Sequence, residues 1–479
     1  MDNLNLTTLQ KGQTMVNDVA IDAFAAGFRG SLLTSKDMDY NEARTIWNAM
    51  IDRSPGLIAR CAGAADVVRA VRFARDNNLL LSVRGGGHGI AGNAVCEGGV
   101  VIDLSAMKSV RVDPQTRRAR IEPGATLADV DQETLAFGLV LPTGINSTTG
   151  IAGLTLGGGF GWLTRKFGLT LDNLLSVDVV TADGELIRAS EKEMPDLFWA
   201  LRGGGGNFGV VTSFEFKLNP LNTEVLAGLV VHPFADAEMV LREYRQALDA
   251  APDELTCWVV MRQAPPLPFL PTEWHGKEIV VLAMCYCGDI AAGEKATSRL
   301  RAIGNPIADV VGPVPFTGWQ QAFDPLLTPG ARNYWKSQDF ASLSDVAIEV
   351  LLKAVRKLPG PECEIFIGHV GGAAGRVATE ATAFPQRSSH FVMNVHARWR
   401  EAGMDGSCIG WARDLFEATK PHSVGTAYIN FMPEDEGDRV ETAYGANYAR
   451  LAEIKRRYDP NNLFRMNQNV KPMAAVRAA

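Results

Sequence analysis

The sequence predicts an α+β protein of two domains, and three observations carry the prediction. A chain of 479 residues is long for one hydrophobic core. Glycine clusters at 85–89, 98–99, 157–161 and 203–206 crowd its first half among strand and turn signals. After Pro220 the texture changes to strands alternating with amphipathic helices, the pattern of a sheet backed by helices.

The elements follow in order. Residues 66–78, "DVVRAVRFARDNN", place Val67, Ala70, Val71 and Ala74 at helical spacing, with Asn77-Asn78 as the stop. The segment "DLFWALR" reads as a helix. The strand after it sets Val210, Thr212, Phe214, Phe216 and Leu218 against Ser213, Glu215 and Lys217. Beyond Pro220, "TCWVVMRQA", "EIVVLAMCYCG", "CEIFIGHVGG" and "HFVMNVHARW" read as strands. "DAEMVLREYRQALDAA" and "DVAIEVLLKAVRKL" read as helices, with proline-rich breaks at 265–271 and 313–315. One final helix, "DRVETAYGANYARLAEIKRRY", precedes the amide-rich tail "DPNNLFRMNQNVKP".

Composition narrows the function. A net charge of -7 argues against nucleic acid and anionic membranes as partners, since both need a basic face, and leaves small molecules. No apolar stretch of about 18 residues predicts a membrane span, and the N-terminus lacks a basic segment followed by an apolar one. Seven scattered cysteines are no disulfide framework, so a cytoplasmic protein is expected. The Cys285-Tyr286-Cys287 pair has no second Cys or His pair beside it and reads as buried thiols on one strand face, with no metal expected.

"LLLSVRGGGHGIAG" satisfies the G-x-G-x-x-G pattern of nicotinamide-binding turns, as does Gly204–Gly209. Such a turn must open a helix whose N-terminus holds the pyrophosphate. Both matches run into strands instead, Val100-Val101-Ile102 and the strand from Val210.

Four motifs in this order, "SVRGGGHG", "PTGINSTTGIAGLTLGGGFGWLTRKFGLTLDN", "DLFWALRGGGGNFGVVTSFEF" and "YDPNNLFRMNQN", resemble the berberine-bridge-enzyme-like flavoprotein oxidases of the vanillyl-alcohol-oxidase superfamily. The resemblance runs over nearly the whole chain. It implies a PCMH-type FAD-binding domain at 1–221, a substrate domain of antiparallel sheet at 222–425, and a C-terminal segment at 426–479 that returns to the FAD domain. It also implies that the Gly85-Gly86-Gly87 loop, with Arg84 and Gly89, wraps the FAD pyrophosphate, and that His88 bonds the flavin 8α carbon. The residues fit that chemistry, because successive glycine N–H groups can converge on an anion and a neutral imidazole nitrogen is a nucleophile.

Many relatives add a second link from a cysteine in a "CPT" segment. Here that position is Asn146, in "GINSTTG", and no cysteine lies between Cys96 and Cys257. A single link through His88 is therefore expected, as in the bacterial branch that includes 6-hydroxynicotine oxidases. Further flavin contacts implied by the resemblance are Thr143, Gly144, Gly153, Gly157, Gly158, Asn173, Gly209, Val210, Asn467 and Asn469.

The resemblance also brings Asn394 and Tyr428 to the substrate. Asn394 stands where the plant alkaloid enzyme has a carboxylate, and an amide cannot take a proton. Tyr428 is then the expected base if a cation lowers its pKa. Lys336 is either that cation or a solvated strand lysine. His396, two residues from Asn394, and His369, before Gly371-Gly372, are further acid–base candidates or satisfied structural histidines. The expected activity is hydride transfer from an alcohol, amine or sugar to FAD, then to oxygen with hydrogen peroxide as product. A dehydrogenase that excludes oxygen, and a flavin- or sugar-binding protein without turnover, are the competing readings. Substrate identity and oligomeric state stay open.

Overall fold

The structure is a computed structural model, and it describes residues 3–474. The expected early helix runs Ala64–Asp76, buries Val67, Ala70, Val71 and Ala74, and ends where Asn78 turns to a positive φ. It covers a four-stranded sheet ordered Ser31–Leu33, Leu57–Arg60, Val100–Asp103, Leu81–Arg84, whose last three strands are parallel. The glycine loop therefore follows a sheet strand and enters turns rather than a helix.

A second, antiparallel sheet orders Leu186–Ser190, Leu174–Val180, Val210–Lys217, Arg118–Ile121 and Val110–Asp113. The alternation read at 210–218 buries Phe214 and Phe216 fully. The core beneath this sheet also takes Ala427, Ile429, Met432 and Val470 from the end of the chain. Burying apolar side chains at about 25 cal/mol per Å² is what draws that segment back.

The largest sheet has eight strands, all drawn from residues 224–399 and all antiparallel. Its centre runs Glu278–Tyr286, Leu255–Gln263, Glu364–His369, Phe391–Trp399 and Arg332–Phe340. Helices Ala237–Leu248, Asp345–Val355 and Asp405–Thr419 pack their apolar stripes into one core with it. This is the α+β architecture expected from the strand and helix texture.

Two local expectations are corrected. The 313–315 prolines lie in the edge strand Gly312–Pro315 beside Glu224–Pro233, a position that tolerates residues with no N–H to donate. The final helix is two, Val440–Tyr444 and Tyr448–Tyr458, because Gly445 takes φ +52° between them. All seven cysteines are free and buried, and burial pushes the Cys287 thiol up to about 12. Among the described residues no helix is long and apolar enough to cross a membrane, and no group of His, Cys, Asp or Glu could hold a metal.

Candidate active site

A cavity of about 400 Å³ lies between the glycine loops and one face of the large sheet. Antiparallel register builds the sheet side. Arg262 pairs with Glu364, Glu364 with His396, and His396 with Trp335, so four strands contribute one transverse row. Phe366 and Asn394 form the next row, on the same face by two-residue spacing.

The first row is built on a buried ion pair. Arg262 donates to Glu364 Oε2 at 2.6 Å, and His396 Nδ1 meets Glu364 Oε1 at 3.1 Å. Burial alone would raise the Glu364 carboxyl, but Arg262 and then His396 outweigh it and hold it at about 2. Glu364 is thus an ionised group on the cavity wall. Asn394 Oδ1, also on that wall, has no hydrogen-bond partner.

Tyr428 comes from the returning C-terminal segment. The helix Ile151–Gly157 ends in Gly158 and Gly159, at φ +135° and +79°. That turn aims the Gly159 N–H at the Tyr428 oxygen, 2.9 Å away, and Asn430 Nδ2 donates to the same oxygen at 3.0 Å. A Cβ on Gly158 would lie 2.9 Å from the Tyr428 ring, so glycine is required there. Burial pushes the phenol up to about 12 against those two donors. No cation lowers it. Both donors favour the phenolate, but burial outweighs them, so the phenol keeps its proton and its O–H is left to donate.

On the opposite wall the loops of Gly86 and Gly150 cross so closely that a Cβ on Gly86 would lie 2.5 Å from the Gly150 nitrogen. His88 follows, its ring stacked on Trp47 at 4.9 Å. Burial holds its imidazole down at about 4, in the neutral form.

The cavity collects His88, Gly85, Gly86, Gly87, Gly89, Gly144, Asn146, Gly153, Gly209, Val210, Asn467, Tyr428, Asn394 and His396. Other expected residues lie elsewhere. Lys336 is on the far face of the sheet, paired with Glu436 at 2.6 Å, because its register partner is Val395 rather than His396. His369 is buried outside the cavity with Nε2 against Arg165 at 3.1 Å; burial and that guanidinium hold it well below the ordinary histidine range. Neither serves Tyr428.

Several cofactor candidates have partners within the protein. The Arg84 guanidinium donates to the Ala43 carbonyl, Thr143 accepts from Gln320, and Asn173 donates to the Phe167 and Leu169 carbonyls. Gly157 makes room for Asn430, and Gly158 for Tyr428. Asn469 is off the cavity wall although its Oδ1 has no partner.

Sequence reading missed Trp47, Trp258, Trp335, Glu364, Phe366 and Asn430. Glu364 and Phe366 were signalled by alternation in "CEIFIGHV", and Asn430 sits two residues from Tyr428. The tryptophans carried no such signal.

The cavity suits a flavin dinucleotide. A Cβ at Gly89 or Gly153 would meet nothing within 4 Å, so the backbone at both is open to a ligand. Asn467 Oδ1 is a buried acceptor without a partner on the same wall. Such orphaned groups are costly unless something occupies the site.

Residues 55–190 match the family model described as an FAD binding domain, and residues 427–471 match the one described as berberine and berberine like. The chain is 33% identical to the FAD-linked oxidoreductase YgaK of Bacillus subtilis, over 93% of this chain and 97% of that one. It is 31% identical to (R)-6-hydroxynicotine oxidase of Paenarthrobacter nicotinovorans, covering 93% and 97%. The crystal structure of 6-hydroxy-D-nicotine oxidase from Arthrobacter nicotinovorans superposes with a TM-score of 0.84 at 30% identity, covering 93% of this chain and 99% of that one. A xylooligosaccharide oxidase from Myceliophthora thermophila shares the fold with a TM-score of 0.83 at 24% identity, covering 95% and 100%.

Proposed function

The chain belongs to the berberine-bridge-like family of FAD-linked oxidoreductases, and from that premise we propose that it is an oxidase. It takes a hydride from an alcohol, amine or sugar substrate onto FAD held by one covalent bond to His88, and passes the electrons to oxygen as hydrogen peroxide. The observation that carries this reading is the cavity bounded by His88 and the glycine loops on one side and by Tyr428, Asn394, His396 and Glu364 on the other. In this reading residues 1–221 and 426–479 hold the cofactor and 222–425 the substrate. The free buried thiols support a cytoplasmic location.

When bound, FAD supplies the hydride acceptor and the route to oxygen. The protein supplies the rest. Tyr428 donates its proton as a hydrogen bond to the substrate heteroatom, held in direction by Gly159 and Asn430. Asn394 Oδ1 accepts the substrate's O–H or N–H and so orients the carbon to be oxidised. The proton leaving the heteroatom goes to solvent, because Glu364, held at about 2 by Arg262 and His396, stays ionised and supplies negative charge on that wall rather than taking the proton. Phe160, Phe366 and Phe431 wall the cavity and exclude water.

The deciding experiment is a screen of secondary alcohols, cyclic amines and sugars read by peroxide formation. A substrate that bleaches the flavin anaerobically and yields no peroxide in air makes the protein a dehydrogenase. No bleaching with any class would leave a binding protein. Acid-precipitated wild type should stay yellow, and the flavin mass should fall on the peptide containing His88.

A further inference from the structure

The sequence places Asn146 where many relatives of this chain carry a second flavin-linking cysteine, and the structure links that asparagine to His88 through Thr148. Asn146 Oδ1 accepts the Thr148 backbone N–H at 3.0 Å, which identifies that atom as oxygen, since an amide nitrogen cannot accept. The same oxygen lies 2.6 Å from Thr148 Oγ1. A carbonyl oxygen has no proton to give, so the Thr148 hydroxyl donates to it. Thr148 Oγ1 then offers only lone pairs to His88 Nε2, 2.7 Å away, and Nε2 must bear the imidazole proton.

The surroundings hold this arrangement still. The Ser147 N–H donates to Asp324 Oδ1 at 2.9 Å and its hydroxyl donates to the other carboxylate oxygen, anchoring the turn between Asn146 and Thr148. Trp47 stacks on the imidazole and is itself tied by its indole N–H to the Leu327 carbonyl at 3.0 Å. His88 Nδ1 has no hydrogen-bond partner among the described residues.

We propose that Asn146 and Thr148 are positioning residues for cofactor attachment: they impose the Nε2–H tautomer on His88 and leave Nδ1 as the nucleophile that bonds the flavin 8α carbon. This rests on the reading that His88 carries the flavin. The Nδ1–C bond forms as one methyl C–H bond breaks, and the electron pair of that bond reduces the flavin ring by two electrons. The methyl proton and the proton that Thr148 held on Nε2 complete the reduced ring. Molecular oxygen then takes both electrons and both protons as hydrogen peroxide, restoring the oxidised flavin. A histidine with its proton on Nδ1 has no lone pair there, which is why the tautomer governs the rate.

The test uses the full chain purified from riboflavin-starved cells, given FAD in air, with acid-stable flavin followed over time and total bound flavin measured alongside. Thr148→Val and Asn146→Leu should slow covalent incorporation roughly tenfold or more while still binding FAD, the direction expected when a histidine's tautomer is no longer imposed. Thr148→Ser and Asn146→Asp, which keep the acceptors, should stay near wild type. In wild type, the flavopeptide should show the bond at Nδ1 by NMR, a readout that does not depend on any variant folding. Bonding at Nε2, or Thr148→Val incorporating flavin at the wild-type rate, overturns the proposal while His88 attachment stands. Wild type with no acid-stable flavin overturns both.

Discussion

The Tyr428 phenol oxygen accepts the backbone N–H of Gly159 at 2.9 Å, across 269 residues of chain. With Asn430 on the same oxygen and burial keeping the group neutral, the proposed role of Tyr428 is that of a donor to the substrate. Tyr428→Phe should therefore slow anaerobic flavin reduction by about 10²-fold, the usual cost of one oriented donor, and leave reoxidation by oxygen nearly unchanged. Since the phenol titrates near 12, the wild-type reduction rate should show no tyrosine ionisation between pH 6 and 9. A break in that window that vanishes in Tyr428→Phe would restore Tyr428 as the base.

Glu364 makes a linked prediction about rate and stability. Its carboxyl is held at about 2 against an ordinary 4.5, so the folded state binds its proton less readily than the unfolded chain does. The sign follows: this stabilisation is complete above pH 4.5 and is lost as the pH falls through 2, an amount on the order of 3 kcal/mol. Glu364→Gln should lower Tm at neutral pH and flatten its fall between those limits in acid titrations followed by circular dichroism. Flavin reduction should also slow, by about tenfold, as the negative charge on that cavity wall is lost.

Asn394 tests substrate orientation. Its Oδ1 has no partner within the protein, so if substrate supplies the donor, as proposed, Asn394→Ala should raise KM with a smaller effect on kcat. The loss of one neutral hydrogen bond, about 1 kcal/mol, corresponds to a severalfold change. Equal KM values in wild type and variant would take Asn394 out of substrate binding.

Asp131 is a buried carboxyl away from the cavity, with Gln320 donating to one oxygen and nothing on the other. Burial, only partly offset by Gln320, raises it from 3.8 to about 7. Its contribution has the opposite sign: stability is fully present below pH 3.8 and is lost as the pH rises through 7. Asp131→Asn, neutral at every pH, should be more stable than wild type at pH 8 by about 1–3 kcal/mol, with the advantage shrinking toward pH 6. Parallel thermal melts at both pH values read it directly.

Sequence by itself determined the α+β class, the helix at Ala64–Asp76, the alternation that buries Phe214 and Phe216, and the glycine loops leading to His88. Those features are local: a period of two or 3.6, or a glycine where backbone must pass backbone, is written in adjacent residues. Tertiary structure alone decided which candidates meet. Alternation shows that Asn394 and His396 share a face, and by itself is silent on which neighbour stands opposite. Pairing Val395 with Lys336 sends that lysine to Glu436, and pairing His396 with Glu364 brings a carboxylate to the cavity. The pKa of Tyr428 likewise depended on Gly159 and on burial, both set by a segment far away in the chain. Strand register and long-range packing are properties of the folded whole, so the residues that tune the chemistry became legible only when the strands were laid side by side.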